Sequence, residues 1–276
     1  MSYPGGKAGA GVYQTIINLM PPHELYLEPF VGGGAILLRK RPARASIVID
    51  ADADVAARWQ RCAGQGRFVD LTAIHGDARS LIAKLDVDRA STLIYADPPY
   101  VHSTRRDASR QIYRHEFTDQ DHRDLLSLLT AMHAARVIVS GYRSPIYDRA
   151  LSHWQRIAFK AQTRGGPAIE SVWINFAPPR ALHDYSYLGR DFRERERIKR
   201  KRDRWRRRLA AMPELERAAI REALELASAR AAVVDVRSSS PGMARGSAIG
   251  AIAANDEPGR RRRASLPPAV LERPRR

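Results

Sequence analysis

The most specific chemistry in this sequence sits in four consecutive residues, Asp97-Pro98-Pro99-Tyr100. Two adjacent prolines stiffen the backbone and remove two amide donors. The carbonyls there are left as acceptors beside the Asp97 carboxylate. Such a set suits an amino group that must lose its planar conjugation before its nitrogen can attack an electrophile. Protons held by Asp97 and by the Pro98 carbonyl would localise the lone pair, and Tyr100 can stack on a planar base. An ordinary proline turn after a strand is the plainer reading, and two features upstream weigh against it.

The first is Gly32-Gly33-Gly34, preceded by the strand-like Glu24-Leu25-Tyr26-Leu27-Glu28-Pro29-Phe30 and followed by a helix expected from about Ala35. Glycines there let backbone approach a nucleotide-like ligand closely. The triplet lacks the spacing of the dinucleotide fingerprint, and Gly5-Gly6-Lys7 lacks that of a phosphate-cradling loop, so taken alone each is equally a structural turn. The second is Asp50, which ends the next strand and could take both hydroxyls of a ribose. Together they point to an adenosine-type ligand.

The elements that must position these residues alternate along the chain. A helix is expected at about 12–20, stopped by Pro21 and Pro22. Strands are expected at Ser46–Asp50, near Val69–His75, at Thr92–Ala96, Arg136–Ser140 and, as the last, Ser171–Phe176. Helices fall around Val55 and Trp59 and at 119–134, the second opened by Thr118 with Asp121 as a capping-box variant. Short apolar strands between helices predict an α/β fold with a doubly wound, mostly parallel sheet. Ligands in such sheets bind at the carboxyl ends of strands, where Gly32–Gly34, Asp50 and Asp97 all fall.

In this order, Tyr3-Pro4-Gly5-Gly6-Lys7, Glu28-Pro29-Phe30-Val31-Gly32-Gly33-Gly34-Ala35, Ile49-Asp50 and Asp97-Pro98-Pro99-Tyr100 resemble the Dam-type DNA adenine methyltransferases, especially the compact phage and prophage forms. The resemblance covers residues 1–190 and implies a Rossmann-like domain using S-adenosylmethionine. It implies that Tyr3, Lys7, Phe30, Gly32, Gly34, Asp50 and Asp97 surround the cofactor, and that Asp77 contacts its adenine. Asp97, Pro98 and Tyr100 would be catalytic, acting on an adenine flipped out of double-stranded DNA by direct in-line displacement. One departure stands out. The larger members insert a target-recognition domain between the ribose acid and the catalytic motif, and only 46 residues separate Asp50 from Asp97 here. Base readout falls instead to the loop at 101–117, with Arg105, Arg106, Arg110, Tyr113 and Arg114 as candidate DNA contacts; a solvated charged loop is the alternative. Ser140-Gly141-Tyr142 lines the target pocket or simply packs, and His115 and Glu116 are given no catalytic role.

Charge divides the chain. Of the net +17, residues 1–189 carry +5 and residues 190–276 carry +12. The organisation expected is a catalytic domain at 1–190, a basic helical extension at 191–235 and a disordered tail at 236–276. The basic run 193–208 is either a phosphate-contacting helix or a self-paired solvated one, since acids at 191, 194, 196 and 203 interleave with its bases. Cys62 is the single cysteine, the histidines lack metal-ligand spacing, and no metal site is expected. Without a signal-peptide pattern or an apolar run of ~18 residues, an intracellular, cytoplasmic protein without membrane partners is the expectation.

Overall fold

A computed structural model of the chain describes residues 6–66, 68–105, 111, 113–163 and 166–238. Seven strands lie among the described residues: β1 (Leu25–Glu28), β2 (Ala45–Asp50), β3 (Leu71–His75), β4 (Thr92–Ala96), β5 (Arg136–Gly141), β6 (Gln155–Thr163) and β7 (Gly166–Ile174). They form one sheet in the order β3-β2-β1-β4-β5-β7-β6. The first five run parallel, and β7 is inserted antiparallel between β5 and β6. Strand order reverses between β1 and β4, which places the ligand crevice of an open α/β sheet at their carboxyl ends.

The sheet is covered on both faces, as the continuous burial of β4 requires. Side chains alternate across it. Tyr26, Val48, Leu93 and Tyr95 pack on one side with α1 (Val12–Ile17) and α2 (Ala53–Ala63). Leu27, Ile49, Ile94 and Ala96 pack on the other with α3 (Ala78–Ile82), α4 (Asp119–Thr130) and α5 (Pro145–Ala150). Leu125, Leu126 and Leu129 put three wholly buried side chains under α4; each contributes ~1.5–3 kcal/mol by leaving water. Thr118 caps that helix as expected: its hydroxyl accepts from the Asp121 amide, while Asp121 accepts from the Thr118 amide at 2.8 Å.

Several boundaries differ from expectation. The helix expected from Ala35 is a set of turns through 39. Leu38 and Lys40 donate four residues back, to Gly34 and Ile36, but Arg39 donates only three back, to Ile36. Pro42 then ends the segment. α1 stops at Ile17, well before the prolines, and the last strand begins five residues early because β6 and β7 form a hairpin that was not expected from the sequence.

Residues 183–190 form a strap across the amino-terminal edge of the sheet. The His183 amide donates to the Met20 carbonyl at 2.9 Å, and its ring stacks on His23 at 3.8 Å. Asn18 Nδ2 donates to the Tyr187 carbonyl (2.8 Å), and Asp184 accepts from the Arg41 amide (2.9 Å). The helix α6 (Phe192–Ala210) follows, N-capped by Asp191.

The chain divides into two compact units, Met1–Ala211 and Met212–Arg276. In the second, α7 (Glu214–Ser238) extends three residues into the tail expected at 236–276; residues 239–276 lie outside the described residues. No helix among the described residues is long and apolar enough to cross a membrane.

Candidate active site

A pocket of about 850 Å³, open to solvent, lies at the carboxyl ends of β1, β2 and β4. Its walls bring together Lys7, Phe30, Gly32, Gly34, Asp50, Asp77, Asp97, Pro98, Tyr100 and Tyr113. Tyr3, Arg106 and Arg110 lie outside the described residues.

The glycine loop is built by two close approaches. Gly32 and Gly34 have φ of 43° and 62°, the left-handed region that glycine adopts without a Cβ penalty. At Gly34 a Cβ would stand 2.1 Å from the Trp59 ring. The same indole donates to the Gly32 carbonyl at 3.1 Å, joined there by Arg58 at 2.6 Å. Asp50 closes the loop: one carboxylate oxygen accepts from the Gly32 amide (2.8 Å) and the other from the Asp52 amide (2.9 Å). Burial pushes its carboxyl above the ordinary range, and the two amides oppose that rise. Each oxygen keeps a second lone pair, so the tie to the loop leaves acceptor capacity for a ligand hydroxyl.

Asp97 follows β4 into a buried polar network. Its Oδ1 lies 2.8 Å from Lys7 Nζ and accepts from Ser140 Oγ at 2.7 Å. Ser140 in turn shares a hydrogen bond with Tyr95 (2.9 Å). Lys7 Nζ also lies 2.8 Å from Glu170 Oε1 and donates to the Tyr100 hydroxyl (3.1 Å), which itself donates to Glu170 (3.1 Å). One ammonium therefore serves two carboxylates. Desolvation works against the Lys7 charge, but Asp97, Tyr100 and Glu170 outweigh it and hold the amine well above its usual value. Burial raises the Asp97 carboxyl, Lys7 opposes that rise and Glu170 adds to it. Lys7, expected beside the cofactor, is thus placed to keep Asp97 charged. Glu170 was not expected at all; it arrives on β7, and only the hairpin insertion brings it here.

Aromatic side chains ring the mouth. Tyr100 faces Tyr142 at 4.5 Å and Tyr113 at 6.5 Å, edge to face. Phe30 meets Phe117 edge to face at 5.4 Å. Asp77 N-caps α3 and accepts from Arg79 Nε (3.1 Å) and Ser80 Oγ (3.1 Å). Although burial raises it, the Arg79 contacts prevail and hold its carboxyl below the ordinary range.

Of the DNA contacts expected in this loop, Arg105, Tyr113 and Arg114 fall among the described residues. The Arg105 side chain is only 3% exposed. It makes a two-point ion pair with Glu116, with Nη1 at 3.0 Å from Oε1, and donates from Nε to the Tyr100 carbonyl at 3.0 Å. A guanidinium so enclosed buttresses the backbone at Tyr100 and is not presented to a phosphate. Tyr113 is likewise a buried pocket wall, not a surface contact. Arg114 is exposed, but it bridges Asp52 and Asp54 at 3.1 and 3.0 Å.

A second buried set reaches the pocket wall at Glu28, and no role was expected for its Tyr26 and Lys40. Tyr26 donates to Glu28 Oε2 at 2.8 Å, and Lys40 Nζ stands 4.1 Å over the Tyr26 ring. Burial pushes Glu28 up to about 8 and Lys40 down to about 7.

No protein-family model and no curated protein sequence matches this chain. Similar solved structures include TrmN from Thermus thermophilus, 20% identical with a TM-score of 0.43, covering 59% of this chain and 47% of that one. TrmK from M. capricolum, in complex with S-adenosyl-homocysteine, is 7% identical (TM-score 0.42; 77% and 93% covered). Magnesium protoporphyrin IX methyltransferase from Synechocystis, with bound SAM, is 11% identical (TM-score 0.40; 59% and 74%). Likeness at this level leaves the chemistry to the site itself.

Proposed function

We propose that this protein transfers a methyl group from S-adenosylmethionine to the N6 amino nitrogen of adenine in DNA. The observation that carries the reading is the placement of Asp97-Pro98-Pro99-Tyr100. It leaves β4 at the switch point of the sheet and lines the same pocket as the glycine loop and Asp50.

The pocket residues suit the cofactor. Asp50 offers acceptors at the end of β2, the glycine loop admits close backbone approach, and Phe30 supplies an apolar ring beside Asp77. When bound, S-adenosylmethionine supplies a methyl group activated by its sulfonium. The protein's own part is positioning and electrostatics. Asp97, kept charged by Lys7, and the Pro98 carbonyl accept hydrogen bonds from the two amino N–H groups and turn the nitrogen lone pair out of conjugation; the nitrogen, cationic once methylated, sheds one of those protons past Asp97 to solvent. Tyr100 stacks on the base with Tyr142 close by, offsetting part of the unstacking cost of a few kcal/mol. No strong general base is needed.

The test is transfer of labelled methyl from S-adenosylmethionine to unmethylated genomic DNA, with RNA alongside, followed by nucleoside analysis. Label in N6-methyladenosine is expected, and Asp97→Ala should abolish it while much of the DNA binding remains. Label in methylcytosine or only in RNA overturns the substrate, and full activity in Asp97→Ala overturns the mechanism.

A further inference from the structure

We infer that α6 carries a second, non-catalytic surface for the DNA backbone, set on the edge of the sheet opposite the pocket. At ~100° per residue, Arg193, Arg197, Arg200, Lys201, Arg204 and Arg208 fall within one sector of about 100° with no acid inside it. The acids lie on its borders or beyond: Asp191 caps the helix, Glu194 takes Arg190 and Arg197, and Asp203 takes Arg206; Glu196 stands ~40° outside the sector and shares a shallow cleft with Arg193, Arg197 and Arg200, one acid beside six bases. Arg193, Arg200, Lys201 and Arg204 make no ion pair among the described residues, and all four are exposed. The interleaved acids therefore do not neutralise this face.

Its partner follows from the chemistry. From Arg193 to Arg208 the row runs about 22 Å at ~1.5 Å per residue, a length over which each strand of a duplex presents several phosphates at ~3.4 Å intervals. A membrane surface fits less well, because the helix offers it little apolar area: Ile198 and Leu209 are partly buried, and the exposed Trp205 and Phe192 lie ~140° apart around the axis.

The position is set by the strap. Arg202 Nη1 donates to the Tyr185 carbonyl at 2.6 Å, and the strap is fastened beside Met20, His23 and Arg41. These residues precede β1 and β2, so they stand at the amino ends of the strands, whereas the pocket is at the carboxyl ends. A duplex held by α6 is tethered rather than presented to Asp97, and tethering raises the local concentration of DNA around the pocket.

The inference rests on DNA as the binding partner of the proposed function but not on methyl transfer itself. Binding of the full chain to duplex DNA is measured against salt, for wild type and for a variant with all six sector residues changed to Gln, a comparable helix former. The log–log slope should fall by about 5, near 0.9 for each of the six lost phosphate contacts, with helix content by circular dichroism unchanged. Lys199→Gln with Arg206→Gln, outside the sector, should leave the slope unaltered. An unchanged slope in the six-residue variant, or an equal loss per charge in the control, overturns the inference. So does a variant that loses only its binding to phosphatidylserine vesicles. If no DNA is methylated yet the slope falls, the catalytic reading fails and the backbone surface stands.

Discussion

Lys7 Nζ stands 2.8 Å from Asp97 Oδ1, and the same ammonium is 2.8 Å from Glu170. A cation shared by the buried Glu170 and the half-buried Asp97 bears on the pH at which the pocket can work. Because burial and Glu170 raise Asp97, its protonation as pH falls begins above the ordinary carboxylate range and removes an acceptor. The acid limb of kcat is therefore expected at a higher pH than for an exposed Asp. Lys7→Met removes the opposing charge, so the limb should move further up. Turnover at neutral pH should fall as the limb approaches it, by ~10-fold for each pH unit by which the limb passes neutrality. A pH–rate profile checks this. A limb that stays put or moves down in Lys7→Met would show that the ammonium does not control Asp97.

Gly34→Ala tests the glycine loop. The substitution meets a φ of 62° and the Trp59 ring at 2.1 Å. A left-handed non-glycine residue costs ~1–2 kcal/mol, and forcing a methyl into packed space costs a further ~1–3 kcal/mol. A loss of about 2–5 kcal/mol is expected in denaturant unfolding, with weakened binding of S-adenosylmethionine by calorimetry. Unchanged stability and affinity would mean that the loop rearranges freely.

Much of this site is legible in local sequence because its residues sit where strands end. Thr92–Ala96 reads as a buried strand from its composition alone, and Asp97 must follow it; Ser46–Asp50 delivers Asp50 in the same way. The capping box at Thr118 is likewise written in four residues. What local reading misses depends on pairing across the chain. Glu170 reaches Tyr100 across 70 positions, through a strand that enters the sheet antiparallel out of sequence order. Arg105 looks like any loop arginine until Glu116 folds back onto it. The segment after Gly34 has helical composition, yet the Trp59 and Asp50 anchors on Gly32 and the nearby Pro42 leave it as turns.

Glu28 offers a stability test with a defined sign. Its folded value is pushed up to about 8 by burial, against ~4.3 in the unfolded chain. Between those values the folded state holds a proton that the unfolded state has released, so stability contributed by the neutral carboxyl is lost as pH rises through that window. Lys40, pushed down to about 7, acts oppositely above pH 7, so the clean window is about pH 5 to 7. Across it the melting temperature of Glu28→Gln should gain steadily on wild type. Parallel curves would place an ionised Glu28 in the folded protein.

Arg105 separates a buttress from a nucleic-acid contact. If it bound phosphate, Arg105→Ala would lower the salt slope of DNA binding by ~0.9 and spare the fold. The structure instead encloses it between Glu116 and the Tyr100 carbonyl. Removing it takes the guanidinium from Glu116, 18% exposed, which keeps the Tyr113 amide at 2.9 Å and His102 at 3.7 Å. Losing one partner of a buried pair costs ~3–5 kcal/mol; water reaching Glu116 pulls the expectation to the lower end. Arg105→Ala should therefore unfold earlier in denaturant and turn over more slowly, because the backbone that carries Tyr100 loses its anchor, while the salt slope stays at the wild-type value. Arg105→Ala with Glu116→Ala removes both charges and should recover part of the stability without the rate. A reduced slope with an intact fold would return Arg105 to the DNA interface.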